Sequence, residues 1–252
     1  MACERINVLN VPIDVCPLED LEAVILSLLQ KPGAKQIVFL TVWDLLKARR
    51  KNSFGECIRG ADLVLPISKS IVKGAAFLKK TKPVRYNPFT TMLTTLTILE
   101  AHYKSFYLLG GRKKQLQIAA QNIRQTYPAL QIVGRHAGYY PKSAENDLVT
   151  AISKASPSLV IMSDGVPDKV CWAYCRRNKF SSSIFIYYPE VVGIFSKAKK
   201  RIPNETFDKG WEIWREIFKN PFKIFLIFPY MKYKLLLLGY RLFKREKTQE
   251  VL

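Results

Sequence analysis

The chain has 252 residues, 48% of them hydrophobic and 12% aromatic, and a formal charge of +20. That much apolar material can bury one substantial core and excludes a disordered chain, while length alone allows one large domain or two small ones. The charge implies an anionic partner (nucleic acid, phospholipid headgroups or a phosphorylated substrate) without choosing among them. The five cysteines, Cys3, Cys16, Cys57, Cys171 and Cys175, contain no CxxC pair, and His102 and His136 are the only histidines. No ligand cluster has zinc spacing, so free thiols in a reducing cytosol are expected. The N-terminus MACERINVLNVPIDV lacks the uninterrupted apolar run of a signal peptide and reads as a strand.

Residues 6–11 read as a short strand, followed by a turn over VPIDVCP. Residues 18–30 have helical spacing with carboxylates in the first turn, which suits the helix dipole, and KPG ends the run. A buried strand is expected at 36–41, one basic helix at 44–59, a strand at 61–66, and helices at 68–78 and 88–102. The pattern then repeats as strand 105–111, helix 113–126, strand 129–134, helix 144–155, strand 158–163, helix 169–178 and strand 183–188. Strands alternating with helices predict βαβ units and an α/β fold: a Rossmann-like, mostly parallel sheet with helices on both faces.

Near Ser196 the composition changes. Residues 195–247 mix Lys and Arg with Trp, Phe, Tyr and Leu and carry few carboxylates. No run reaches the ~20 uncharged apolar residues that span a bilayer. Two parts are expected: an α/β domain over 1–195, and a basic, aromatic, helical C-terminal appendage over 196–252. Aromatics at headgroup level and snorkelling Lys and Arg suit an anionic membrane surface. No helix-turn-helix, RNP or zinc-finger signature is present, so nucleic acid is not the expected partner.

Open α/β sheets bind ligands beyond the carboxyl ends of their strands. The loops expected there are VWD after Thr41, ISKS after Pro66, GGRKK after Leu109, GRHAGYY after Val133 and DGVPDK after Ser163. Glycine lets a backbone N–H approach a phosphate, although glycine after a strand is often turn chemistry alone.

The order of these loops is more specific than any one of them. FYLLGGRKKQLQIAAQNIRQTYPALQIVGRHAGYY at 106–140 resembles the WecG/TagA/CpsF glycosyltransferases (glycosyltransferase family 26). ADLVLP at 61–66, SDGVPDKVCW at 163–172, KAKKRIP at 197–203 and GWEIWREIFKNPFK at 210–223 fall in the same order as that family's motifs. The resemblance implies a metal-independent, inverting transfer of an amino sugar with no cofactor. The implied donor is a UDP-N-acetylmannosamine-like sugar, and the implied acceptor is a sugar on a polyprenyl diphosphate in the cytoplasmic leaflet. The products feed cell-surface glycans. It further implies a peripheral position on the inner face of the membrane, and a site built partly by a subunit contact, hence a homo-oligomer. Substrate contacts would fall on Thr41, Ser68, Asn87, Gly110, Gly111, Arg112, Arg135, His136, Gly165, Lys169, Arg201 and Arg215.

The chain departs from the family where chemistry is expected. The family's proposed base is an Asp after LVLP, followed by Gly; here Ile67 and Ser68 stand there. Ile cannot take a proton. Its T-x-N loop is Thr41-Val42-Trp43, its G-T-D stretch is Asn87-Pro88-Phe89, its Gln-Glu pair is Lys169-Val170, and its F-D segment is Tyr188-Pro189-Glu190. A diverged transferase with another base, and an inactive protein of the same fold acting as a membrane-bound partner, both fit. Glu190 and Asp164 are the candidate bases, with Asp168 behind them. Asp164 and Asp168 have helix capping as their structural alternative, and Glu190 has pairing with a lysine of the basic tail. Ser68 is expected to cap the next helix, and Arg215 has Glu212 as a local partner.

Overall fold

The computed structural model describes residues 3–210 and 225–243. It opens with an antiparallel hairpin, β1 (Glu4–Val8) and β2 (Val11–Val15), turned at Leu9 and Asn10, both at positive φ. The expected turn over VPIDVCP is therefore a strand. Pro12 reads as a breaker, but it pairs with Asn7 at the rim of a two-stranded ribbon, while Val11 and Ile13 enter the core.

Continuous apolar runs predict strands buried on both faces. β3 (Gly33–Leu40), β4 (Leu63–Pro66), β5 (Ser105–Leu109), β6 (Gln131–His136), β7 (Leu159–Met162) and β8 (Ser182–Tyr187) form one sheet in the order β4-β3-β8-β7-β5-β6. Every pairing is parallel. β4 and β7 are buried along their whole length, whereas edge strand β6 alternates between exposed and half-buried residues. The outer edge of β4 is covered by the hairpin. Arg5 binds Asp14 at 2.7 and 2.9 Å, and Asp14 accepts the Val64 N–H at 2.5 Å. An otherwise bare ladder edge is thereby satisfied.

Alternate strand residues face opposite layers. Ile37, Phe39, Leu108, Ile161 and Ile186 pack beneath α1 (Leu21–Gln30), α5 (Pro88–Ala101), α6 (Lys113–Thr126) and α9 (Val191–Phe195). Their neighbours Val38, Leu40 and Val64 face the hairpin, α2 (Val42–Ala48), α3 (Ser53–Arg59) and α4 (Lys69–Phe77). Leu109, Val160, Met162 and Phe185 face α7 (Glu145–Ala155) and α8 (Trp172–Cys175).

Two expected helices are broken. The single helix at 44–59 is α2 and α3, because Asn52 accepts the Gly55 N–H at 2.7 Å and starts a new helix. The helix expected at 169–178 is a 3₁₀ turn, the four-residue α8 and a second 3₁₀ turn. Asp168 and Lys169 stand at φ +54° and +49°, a conformation that a helix cannot continue.

The chain then reaches the β4 end of the sheet, where α10 (Asn204–Lys209) meets Lys69, Arg85 and Asn87, and ends, among the described residues, in α11 (Ile227–Phe243). Tyr233, Leu237 and Tyr240 of α11 are buried against the core. The Tyr233 hydroxyl donates to the Ser70 carbonyl at 2.8 Å, over Gly74, where a Cβ would lie 2.2 Å from that oxygen. The opposite stripe, Phe228, Met231, Leu235, Leu238 and Leu242, is exposed. Among the described residues no helix is long and apolar enough to cross a membrane.

Candidate active site

Because all six strands are parallel, their carboxyl ends share one edge, and the loops expected to bind ligand gather there. The loops after β5, β6 and β7 interlock through glycines. Gly110 donates its N–H to the His136 carbonyl at 2.9 Å and Gly111 to that of Asp164 at 2.6 Å. Gly138 donates to Gly111 at 2.9 Å, and Tyr139 to Gly165 at 2.8 Å. A Cβ on Gly110 would lie 2.9 Å from the Ser163 backbone, and one on Gly138 2.7 Å from the Asp164 carbonyl. Both amides of the glycine pair are thus engaged by protein carbonyls, and what the pair contributes here is close approach of loops.

That approach sets Asp164. Its carboxylate accepts the Tyr139 hydroxyl at 2.6 Å and the Gly165 N–H at 2.9 Å. The Tyr139 bond chiefly holds the Asp164 carboxyl below its ordinary range, helped by the Gly165 amide, Lys199 and Lys169. The same bond pushes the Tyr139 phenol up, against the pull of Arg112. Asp164 is not a helix cap. Asp168 lies at the start of the 3₁₀ turn without capping it and accepts Arg176 at 3.0 Å.

Glu190 stands after β8, in the middle of the edge. Its loop is pinned where the Pro189 carbonyl accepts the Ser163 hydroxyl at 2.9 Å and the Asp164 N–H at 3.2 Å. The carboxylate itself is loosely held. Lys199 Nζ lies 3.7 Å from Oε1, the Tyr188 hydroxyl lies 3.4 Å from Oε2, and the side chain is 41% exposed. The expected tail lysine is therefore Lys199.

A second group surrounds the ends of β3 and β4. Thr41 and Asp44 close a capping box at the start of α2, with Thr41 Oγ1 donating to Asp44 Oδ2 at 2.6 Å. Burial pushes the Asp44 carboxyl up against these bonds and the charges of Lys47 and Lys169. Ser68 stands at the start of α4 without capping it; it accepts the Val42 N–H at 3.1 Å and ties the two loops together. Lys169 acts on both Asp44 and Asp164, and so links the two groups.

Ile67, at the position where the resemblance implies a base, packs against the core, and its carbonyl accepts Arg85 Nε at 2.8 Å. Arg85 also donates to the Phe207 carbonyl and lies 3.7 Å over the Phe207 ring. Burial pushes its guanidinium down to about 10, against the pull of Asp208. Asn87 caps α5 and donates to Asn204 Oδ1 at 3.0 Å, and Lys69 donates to the Asp208 and Lys209 carbonyls. The return segment is therefore seated on the β4 end of the edge.

Arg112, Arg135 and Arg201 are exposed. His136 contacts its neighbour's carbonyl at 2.8 Å and the edge of the Tyr140 ring. Arg215 and the Trp211–Trp214 pair lie outside the described residues. Tyr139, Lys199, Arg85 and Asn204 join the site in addition to the residues the sequence points to. Only Arg85, a lone arginine in KPVRYNP two residues before Asn87, carries a local signal. Among the described residues no group of three or more His, Cys, Asp or Glu is placed to hold a metal ion.

The fold is an open, parallel-sheet α/β protein, and lysines, arginines and carboxylates gather at the carboxyl ends of its strands. The chain belongs to the Glycosyl transferase WecG/TagA/CpsF family, whose model matches residues 6–249. Similar proteins include the N-acetylglucosaminyldiphosphoundecaprenol N-acetyl-beta-D-mannosaminyltransferases of Staphylococcus aureus strains NCTC 8325 / PS 47, COL and MRSA252. Each is 24% identical over 156 residues, covering 62% of this chain and 61% of the relative. The chain thus spans less than two thirds of the length of the relatives it matches.

The Tyr139–Asp164 bond has a defined pH signature. A carboxyl held below its ordinary range contributes stability that is present at neutral pH and lost as pH falls through the depressed native value. Tyr139→Phe is expected to move the Asp164 titration, followed by carboxyl-carbon NMR, upward to higher pH. An unchanged titration in Tyr139→Phe would show that the hydroxyl does not set the charge of Asp164.

Proposed function

We propose that the protein transfers an amino sugar from a UDP-sugar, of the UDP-N-acetylmannosamine kind, to a sugar carried on a polyprenyl diphosphate. The observation that carries this is the family match over residues 6–249, laid on a sheet whose carboxyl edge presents Lys169, Lys199, Arg112, Asp164 and Glu190. Both substrates are diphosphates, and lysine and arginine at a strand-end crevice suit them.

Glu190 is the base of this reading. Asp164 is fixed by two short hydrogen bonds, Asp168 by Arg176, and Asp44 by its capping box. Among the described residues Glu190 has only long contacts, and its carboxylate is exposed. In the transfer step the acceptor hydroxyl gives its proton to Glu190 as its oxygen bonds to the anomeric carbon of the donor. The bond from that carbon to the β-phosphate oxygen breaks, and its electron pair leaves with UDP.

A second reading rests on Ile67. The position where the resemblance implies a base is apolar and packed against the core, which favours a protein that keeps the fold and works as a partner at the membrane. Mass spectrometry of a UDP-N-acetylmannosamine reaction with an N-acetylglucosaminyl-diphospho-polyprenol separates the two. Product with wild type, and kcat lower by about 10²–10⁴-fold in Glu190→Gln, is expected of the transferase. No product with wild type favours the partner reading, and full activity in Glu190→Gln removes Glu190 as base.

The place of work is proposed to be an anionic membrane surface on the cytoplasmic side. The exposed stripe Phe228, Met231, Leu235, Leu238 and Leu242 shares α11 with Lys232, Lys234 and Arg241. Such a helix lies in the interface with its apolar stripe among acyl chains. Converting both Leu235 and Leu238 to Asp is expected to lower co-sedimentation with phosphatidylglycerol vesicles about tenfold or more. Undiminished co-sedimentation would move the contact elsewhere.

A further inference from the structure

Lys199 is held more deliberately than an exposed lysine needs to be. The chain turns back after α9, with Lys197 at φ +61°, and the Lys199 N–H donates to the Gly193 carbonyl at 2.9 Å. The Ser196 hydroxyl donates to the same carbonyl at 3.1 Å. The Lys199 stem then lies along Gly193, where a Cβ would stand 3.0 Å from Cδ and 3.1 Å from Cγ. Lys199 occupies the space that a side chain on Gly193 would take. This delivers the ammonium to Glu190 at 3.7 Å while it also acts on Asp164.

Both charged ends remain open to solvent, 54% exposed for Lys199 and 41% for Glu190. The ammonium has three donors, and no described hydrogen bond fixes it. Among the described residues, the groups facing Glu190 are this lysine and the Tyr188 hydroxyl. A cation 3.7 Å from one carboxylate, on a flexible four-carbon stem whose base is fixed, is built to change partners when a stronger anion arrives.

We propose that Lys199 is a two-position cation that pairs with Glu190 in the unliganded protein and swings onto the donor's diphosphate, freeing Glu190 for the acceptor hydroxyl. The inference rests on the transferase reading and deepens it, because it makes donor binding the event that readies the base. When the anomeric C–O bond breaks, its electron pair leaves on the UDP β-phosphate, which Lys199 then faces. The acceptor proton goes to the carboxylate that Lys199 has left. Donor binds before acceptor in this scheme, and an acceptor arriving first meets a base still paired with Lys199.

A double-mutant cycle read by calorimetric titration with UDP tests this. Lys199→Met is expected to weaken UDP about tenfold with an unchanged melting temperature in the absence of nucleotide, and Lys199→Arg to restore most of the loss. Glu190→Gln is expected to tighten UDP about threefold or more, since Lys199 no longer has to leave a carboxylate. In the Lys199→Met background that gain disappears. A gain of equal size without Lys199 would mean that Glu190 simply repels the phosphates, and would overturn the proposal. Wild-type affinity in Lys199→Met would overturn it as well. If wild type binds no UDP, the donor reading itself fails, a result distinct from either of these.

Discussion

The site depends on the approach of three strand-end loops that only glycine permits. Gly110, Gly111, Gly138 and Gly165 leave no side chain between the turns after β5, β6 and β7, so backbone meets backbone at 2.6–2.9 Å. Three of the four are at φ +71° to +109°, where a side chain is strained whatever the space. From this contact the rest of the edge follows. Tyr139 is carried over Asp164, the Ser163–Pro189 bond brings the β8 turn alongside, and Glu190 is presented at the centre of the sheet. Gly193 differs from these four, lying within α9 without positive φ, and its bare face is where the Lys199 stem rests.

The two halves of the edge differ in chemistry. After β7 and β8, carboxylates and lysines alternate within reach of one another. Lys199 and Glu190 are loosely tied, 3.7 Å apart with both ends exposed. After β4 the surface is closed. Ile67 is packed against the core, and Arg85 joins its carbonyl to the backbone and ring of Phe207, so that the return segment is tied beside that position. On the proposed reading, the cations for a diphosphate are those of the β7–β8 side, Lys169 and Lys199.

The central sheet was legible because parallel strands buried on both faces are continuous apolar runs, as in LVLP, FYLL and LVIM. Helix α6 spans the expected 113–126 because its apolar period is unbroken. Failures came where one side chain overrides a period: Asn52 restarting a helix, Asp168 and Lys169 in a left-handed turn, and Pro12 inside a hairpin strand. At the site, the loops could be read in order, but their wiring could not. Tyr139 meets Asp164 across 25 residues and Arg85 meets Phe207 across 122, and no local pattern encodes contacts at such separations. The pairing of Glu190 with a tail lysine was foreseeable from charge alone, but the Gly193 cradle that chooses Lys199 was not.

The central claim is that this edge holds a UDP-sugar. Thermal unfolding with UDP and a panel of UDP-sugars, each at saturating concentration, measures it without assuming any base or acceptor. A ligand at about 100 times its dissociation constant stabilises the native state by about 2.7 kcal/mol. The account predicts stabilisation of that order, selective for UDP-N-acetylamino sugars over other nucleotides. No stabilisation by any uridine nucleotide, in protein that still binds anionic vesicles, would contradict it and leave a family fold kept for a role at the membrane.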